Sequence, residues 1–320
     1  MRLIQRPSPS PIYYGVATLG SLAFILAIVL AFTRDVGQTI NALTTIDPYY
    51  ISRVFLVVNI IGISGVVSYR AGLWNIGQEG QAIVGALAAI AARDPAIALM
   101  SAPASAAAWT LLPAALRTFA NVNEAVTTFL MSIVAIYVAR YFVEDILRDP
   151  AKKGFIVTVE APGLDIFSAM LTTTAVITSV MFLYKTRLGL VLRLLSSGEE
   201  IVKYAGKSPR FYSFFALILS GAIAGVGGAV EIMTRETGHY MTLQQVSTGF
   251  GLYGISAAWL GGLNPLGVVV ASLYIAWLCQ IAVNLKTMGF SALVANALVG
   301  IAMAWGIAGY VMHKYKIVWR

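Results

Sequence analysis

The stretch Gly72–Ala91, GLWNIGQEGQAIVGALAAIA, carries Asn75, Gln78, Glu79 and Gln81 inside an otherwise apolar run. Gly77 and Gly80 flank the pair Gln78–Glu79. Three kinds of chemistry suit one carboxylate and three amides in that setting. The amides can satisfy backbone groups freed by a helix break, with Glu79 paired to a buried donor. The side chains can hydrogen-bond a passing solute. Or Glu79 can take up and release protons in an ion-coupled carrier. In a continuous helix the four would spread over about 160° of the circumference, one broad polar face. A charge at a bilayer centre costs about 2.5–3.5 kcal/mol even on the mildest scale, so that face belongs against protein or water.

The bilayer follows from composition. Of 320 residues, 58% are hydrophobic and 11% charged, against roughly 25% charged in soluble domains. Mean hydropathy is +0.79. A globular core of this size cannot hide so much apolar surface, so the chain reads as an integral membrane protein. Its net charge of +8 then reflects basic cytoplasmic loops rather than nucleic-acid binding. The single Cys279 excludes an internal disulfide, and His239 and His313 are too few and too far apart for a metal site. Arg2 and Arg6 precede an apolar run longer than a signal-peptide core of roughly 7–15 residues, which predicts a retained first span.

A spanning helix needs roughly 20 apolar residues. The runs that qualify are 12–32, 51–69, 72–92, 96–117, 122–143, 167–185, 212–233, 247–262, 264–284 and 290–312. They predict an all-α polytopic membrane protein of about ten transmembrane helices, a single permease-like domain over 1–320. Arg2, Arg6, Arg70, Arg117, the bases between Lys185 and Arg210, and Lys314, Lys316 and Arg320 then share one side. The positive-inside rule makes that side, and both termini, cytoplasmic. The longest outer stretch, Glu144 to Asp165, holds five acids against three bases. Spans two to five and seven to ten form two inverted four-helix groups. Their second members both carry glycine breaks, GLWNIGQEG and GFGLYGISAAWLGG, the sequence pointer to a transport pathway. Tyr253 and Ser256 on the eighth span are therefore candidates to line the path opposite the third. Gly221, Gly225 and Gly228 read as helix packing, Asn123 and Glu124 as a cap, and Tyr49, Tyr50 and Trp319 as interfacial anchors.

The longest cytoplasmic stretch, 186–211, is neither a disordered tail nor a plain linker. Ser197 and the acids Glu199 and Glu200 predict the start of a short helix to Ala205, ended by Gly206 and Pro209. Such a helix can lie on lipid headgroups or dock on another protein.

This stretch resembles the coupling region of ATP-binding-cassette (ABC) importer permeases of the ribose, simple-sugar and nucleoside group. The residues carrying the likeness are Thr186, Arg187, Gly189, Arg193, Gly198, Tyr204, Ala205 and Gly206. NIGQEGQ, NEAVTTFLMSIVA, SGAIAGVGGA and GGLNPLG also resemble the group's motifs, and the likeness runs from about residue 50 to 312. Trp259 departs from it, standing where a smaller aliphatic residue is usual. The resemblance implies cytoplasmic ABC ATPase subunits, a second permease subunit (a copy or a relative), an extracytoplasmic solute-binding protein, and a helix around Glu199, Glu200 and Tyr204 that docks on the ATPase. It implies no cofactor in this chain, ATP being bound by the partners. No G-x-x-x-x-G-K-[ST] loop is present, so the chain is not itself the ATPase. A nucleoside or simple sugar is the expected solute. The alternatives are a branched-chain amino-acid permease, an ion-coupled carrier using Glu79, and a regulatory membrane protein recruiting a partner through its loop.

Overall fold

Four dipeptides set the frame: Asp47-Pro48, Asp94-Pro95, Ser208-Pro209 and Asn264-Pro265. A capping side chain followed by proline at the first helical position is a strong start signal, because the missing N–H would be unsatisfied there anyway. Each opens a long helix. Asp47 accepts from the N–H groups of Tyr49 and Tyr50 at 3.0 and 3.1 Å, Asp94 from those of Ala96 and Ile97, Ser208 from Phe211 and Asn264 from Leu266.

The computed structural model describes residues 2–5, 12–235, 240–291 and 293–318. His239, Arg6, Trp319 and Arg320 lie outside them. In chain order the elements are β1 (Arg2–Gln5), α1 (Ile12–Thr33), α2 (Val36–Thr44), α3 (Pro48–Arg70), α4 (Gln78–Ala92), α5 (Pro95–Ala120), α6 (Glu124–Tyr141, continued by a π turn Phe142–Ile146), and α7 (Ile166–Lys185). There follow α8 (Arg187–Leu195), α9 (Glu199–Tyr204), α10 (Pro209–Met233), α11 (Leu243–Val246), α12 (Phe250–Leu260), α13 (Pro265–Thr287), α14 (Val294–Lys314) and β2 (Tyr315–Val318). Among the described residues the fold is helical apart from the antiparallel pairing of β1 with β2, which sets residues 2–5 beside 315–318, and a single bridge between Arg148 and Thr158. Among the described residues six helices are long and apolar enough to cross a membrane: Pro48–Arg70, Pro95–Ala120, Glu124–Ile146, Ile166–Lys185, Pro209–Met233 and Pro265–Thr287.

α3 and α10 form the centre of the bundle. α3 packs on α12 and α13, while α10 packs on α4 and α5, and the two touch each other. α4 further meets α5 and α6, as α12 meets α13 and α14. Peripheral helices show their apolar faces outward, as lipid allows: Phe129, Leu130, Tyr137, Leu171 and Phe182 are all exposed.

Candidate functional site

α3 ends at Arg70, Gly72 turns the chain at φ 78°, and residues 73–77 run back without helix before α4 begins at Gln78. Asn75 therefore precedes the helix and does not share a helical face with Gln78, Glu79 and Gln81. Buried backbone freed in this way must find partners. The Trp74 N–H donates to Glu124 Oε1 at 3.1 Å, the Ile76 N–H to Thr128 Oγ1 at 3.1 Å and the Gly80 N–H to Ser132 Oγ at 3.1 Å. Glu124, Thr128 and Ser132 recur every four residues, one polar stripe along α6. The Gly77 N–H donates to Asn75 Oδ1 at 3.0 Å, and the Tyr69 hydroxyl donates to the Asn75 carbonyl at 2.8 Å.

The Asn75 side chain does more than turn its own backbone. Its amide nitrogen donates to Gln81 Oε1 at 3.0 Å and to Ser220 Oγ at 2.9 Å, and Gln81 returns a bond to Asn75 Oδ1 at 3.2 Å. Ser220 on α10 is bonded in turn to Ser64 on α3. Asn75, Gln81, Ser64 and Ser220 are buried and satisfied, so the network pins the break to both central helices.

Glu79 reaches the other way. Its Oε1 accepts the Gly249 N–H at 2.9 Å and its Oε2 accepts the Gly251 N–H at 2.6 Å. These are donors of the first turn of α12, so one carboxylate caps a helix 170 residues further along the chain. α12 has 11 residues and α4 has 15, about 16 and 22 Å at 1.5 Å per residue, against about 30 Å of hydrocarbon. Both are too short to span alone. Glu79 stands in the first turn of α4 and against the first turn of α12, where both helix dipoles present their positive ends. The approach is close: a Cβ on Gly251 would lie 2.3 Å from the Glu79 backbone nitrogen. Gly249 itself adopts φ 82°, which an L side chain rarely does.

Gln78 is buried against Gly65, and neither atom of its amide has a hydrogen-bond partner. Tyr253 is buried in the core shared by α3 and α12. Ser256 turns elsewhere, donating to the Leu252 carbonyl at 3.0 Å and contacting the sulfur of Met303 on α14. The cavity beside Glu79, closed by Val57, Ile61, Gly228 and Phe250, holds about 10 Å³, on the order of one water.

Sequence reasoning did not single out a second buried cluster. Arg53 on α3 donates to both oxygens of Glu231 on α10, at 2.9 and 3.0 Å, and Arg235 pairs with the same carboxylate. The available signal was one charge inside each of two apolar runs, since such charges need partners. Glu124, Thr128 and Ser132 had a signal too, their four-residue period within NEAVTTFLMS.

The stretch 186–211 folds into α8 and α9 and leads into α10. Thr186 caps α8 and Arg193 donates to the Tyr184 carbonyl. Gly189 lies so close to Leu183 and Tyr184 that a Cβ would strike their backbone. α9 is capped by Gly198 at φ 140° with no side-chain bond, so Ser197 does not cap it. Glu199 pairs with Arg117 at 3.2 Å and Glu200 with Lys203 at 2.6 Å. Val202 faces inward, Tyr204 is 91% exposed, Ala205 ends the helix and Gly206 leaves it at φ 70°.

Residues 47–305 match the family described as the permease component of the branched-chain amino acid transport system. The chain belongs to this family. Its similarity to the guanosine ABC transporter permease protein NupP of Bacillus subtilis (strain 168) is 29% identity over 307 residues, covering 88% of this chain and 84% of NupP. The glucose ABC transporter permease protein TsgB13 of Haloferax volcanii is 30% identical over 248 residues, 67% of this chain and 63% of that one. The nucleoside ABC transporter permease protein NupB of Lactococcus lactis subsp. cremoris is 25% identical over 275 residues, 76% of this chain and 71% of NupB. As a family member with six apolar spanning-length helices among its described residues, this permease is a multi-pass protein of the cell membrane. It is a transport subunit, and the motif likeness to ABC permeases stands with these relatives.

Proposed function

We propose that this permease is the transmembrane subunit of an ATP-driven ABC importer and forms the pathway for a nucleoside or simple sugar. The observation that carries the pathway is the junction at Glu79, where two helices too short to span meet by their amino ends. Non-helical backbone at membrane depth is tolerated where it lines a route or is held by protein. The solute class rests on what NupP, NupB and TsgB13 are named for.

The finer architecture in this proposal is one permease domain of ten spans, the third and eighth glycine-broken and only partly helical, two inverted groups of four and cytoplasmic termini. Two patterns support it. The contacts of α3 with α12 and α13 mirror those of α10 with α4 and α5, and each group opens its first and third helices with a cap and proline. Pairing of β1 with β2, residues 2–5 beside 315–318, agrees with termini on a common side. Asn75, Gln78, Glu79, Gln81 and Tyr253 belong to the pathway region, with Ser256 on the far face of α12. Gln78, buried with a free amide, is the residue best placed to meet solute when the junction opens. Arg187, Gly189, Arg193, Gly198, Glu199, Glu200, Tyr204, Ala205 and Gly206 shape the loop that docks on ATPase subunits. A solute-binding protein and a second permease complete the importer.

The test is uptake into proteoliposomes holding this permease with its neighbouring-gene ATPase, partner permease and binding protein. Guanosine uptake that needs ATP hydrolysis supports the proposal. ATP-driven uptake of leucine instead moves the solute to the branched-chain class in the family's description. Uptake without any ATPase subunit, following an imposed proton gradient, refutes the importer reading.

A further inference from the structure

Three rings from three elements cluster beside the junction. Trp74, in the segment before α4, stacks on Trp259 at the end of α12, with centroids 5.2 Å apart and planes at 27°. Tyr69, near the end of α3, lies 5.5 Å from Trp259 and 6.1 Å from Trp74. The cluster thus joins the lead-in of one short helix to the exit of the other.

The same Trp74 is tied to α9. Its N–H donates to Glu124 Oε1, the other oxygen of Glu124 pairs with Arg117 Nε at 3.1 Å, and Arg117 Nη2 pairs with Glu199 Oε1 at 3.2 Å. Arg117 is the only one of these groups bound on both sides by ions; its side chain is 26% exposed and that of Glu199 49%, so the inner pair with Glu124 is shielded better than the outer one. A packed route runs beside the charged one. A Cβ on Gly72 would lie 3.0 Å from Ser196 Cα, between α8 and α9, and Leu73 shares one apolar cluster with Val202 of α9. Displacing α9 therefore displaces the backbone that carries the Trp74 ring.

We propose that the Trp74–Trp259 stack is the cytoplasmic gate, and that Arg117 is the positioning residue that transmits movement of α9 to it. The transmission half rests on the importer reading above; the gate half does not. Packed elements with two discrete arrangements are what carry such coupling.

Two experiments separate these halves. In proteoliposomes with the full importer, guanosine uptake and phosphate release are measured together. Arg117→Gln is expected to keep hydrolysis while raising ATP used per guanosine about tenfold, and Arg117→Lys to restore most of the wild-type ratio. A proportional loss of uptake and hydrolysis, leaving the ratio unchanged, shows a merely structural Arg117 and overturns the relay. In the permease alone, Gln78→Cys is introduced into a Cys279→Ser background and labelled with a membrane-impermeant maleimide from the cytoplasmic side. Adding Trp259→Leu, which removes the stack on Trp74 and the contact with Tyr69, is expected to speed labelling at least about fivefold, the factor to which about 1 kcal/mol of aromatic pairing corresponds. An unchanged rate, in protein that elutes as a single species in detergent, overturns the gate. Wild-type protein that binds no ATPase overturns the importer reading and the relay with it, while the labelling result still decides the gate.

Discussion

The carboxylate of Glu79 and the amide of Gly249 meet at 2.9 Å across 170 residues of chain. With the Gly251 amide on its second oxygen, Glu79 joins the amino ends of α4 and α12. Two backbone donors thus converge on one carboxyl group where the positive ends of both helix dipoles lie. Both oxygens are engaged by backbone, which is what a fixed joint requires and what a proton carrier that must release its proton does not.

Replacing Gly251 by Ala puts a methyl 2.3 Å from the Glu79 backbone, which has no flexible end to move. The expected loss exceeds about 3 kcal/mol, read as a large fall in thermal unfolding temperature in detergent. Gly300→Ala, where nothing lies within 4 Å, is the control and leaves stability unchanged or raised by up to about 1 kcal/mol.

Thr128→Val keeps shape but removes the acceptor of the Ile76 N–H. The stranded donor costs about 1–3 kcal/mol by the same thermal measurement. Thr127→Val removes only bonds back to its own helix, to the carbonyls of Asn123 and Glu124, and is expected to be near neutral.

Asn75→Ala strands the Gln81 amide and the Gly77 N–H and removes one partner of Ser220. At least about 2 kcal/mol is expected, with proteolysis in the 71–77 segment rising before global unfolding. Equal protection in wild type and variant would show that the segment is held by packing instead.

Tyr204→Glu and Ala205→Arg alter exposed side chains at the end of α9 and at its cap. Both variants are expected to insert and unfold like wild type yet to lose co-purification with the ATPase subunits. Retained co-purification would place the docking surface elsewhere.

Much of the frame lay open in the sequence, because it is set by local chemistry. Cap-proline pairs mark where four long helices begin, and Asn123 caps α6 through the Ala125 and Val126 amides. The run around Glu79 advertised a break by its glycines and amides. What it could not name was the partner, since Gly249 and Gly251 act through backbone N–H groups that look alike in every residue. Helical period also places Ser256 three residues from Tyr253, yet α12 is enclosed on several sides, and its Ser256 face meets Met303. Trp259, a departure from the family style, makes sense only once Trp74 is seen stacked on it. Arg53 and Glu231 were each visible as lone charges, but their pairing depends on α3 lying against α10.

The most direct measurement of the central claim, that Glu79 is a structural joint of an ATP-driven pathway, is the pH profile of uptake by wild type and Glu79→Gln. The amide can accept from one glycine but sets a donor against the other, so stability should fall by about 1–3 kcal/mol. The account predicts reduced but measurable ATP-driven guanosine uptake, with a pH profile parallel to wild type. Abolished uptake in a variant as stable as wild type, together with a wild-type pH dependence that the variant lacks, would contradict it and make Glu79 a proton site.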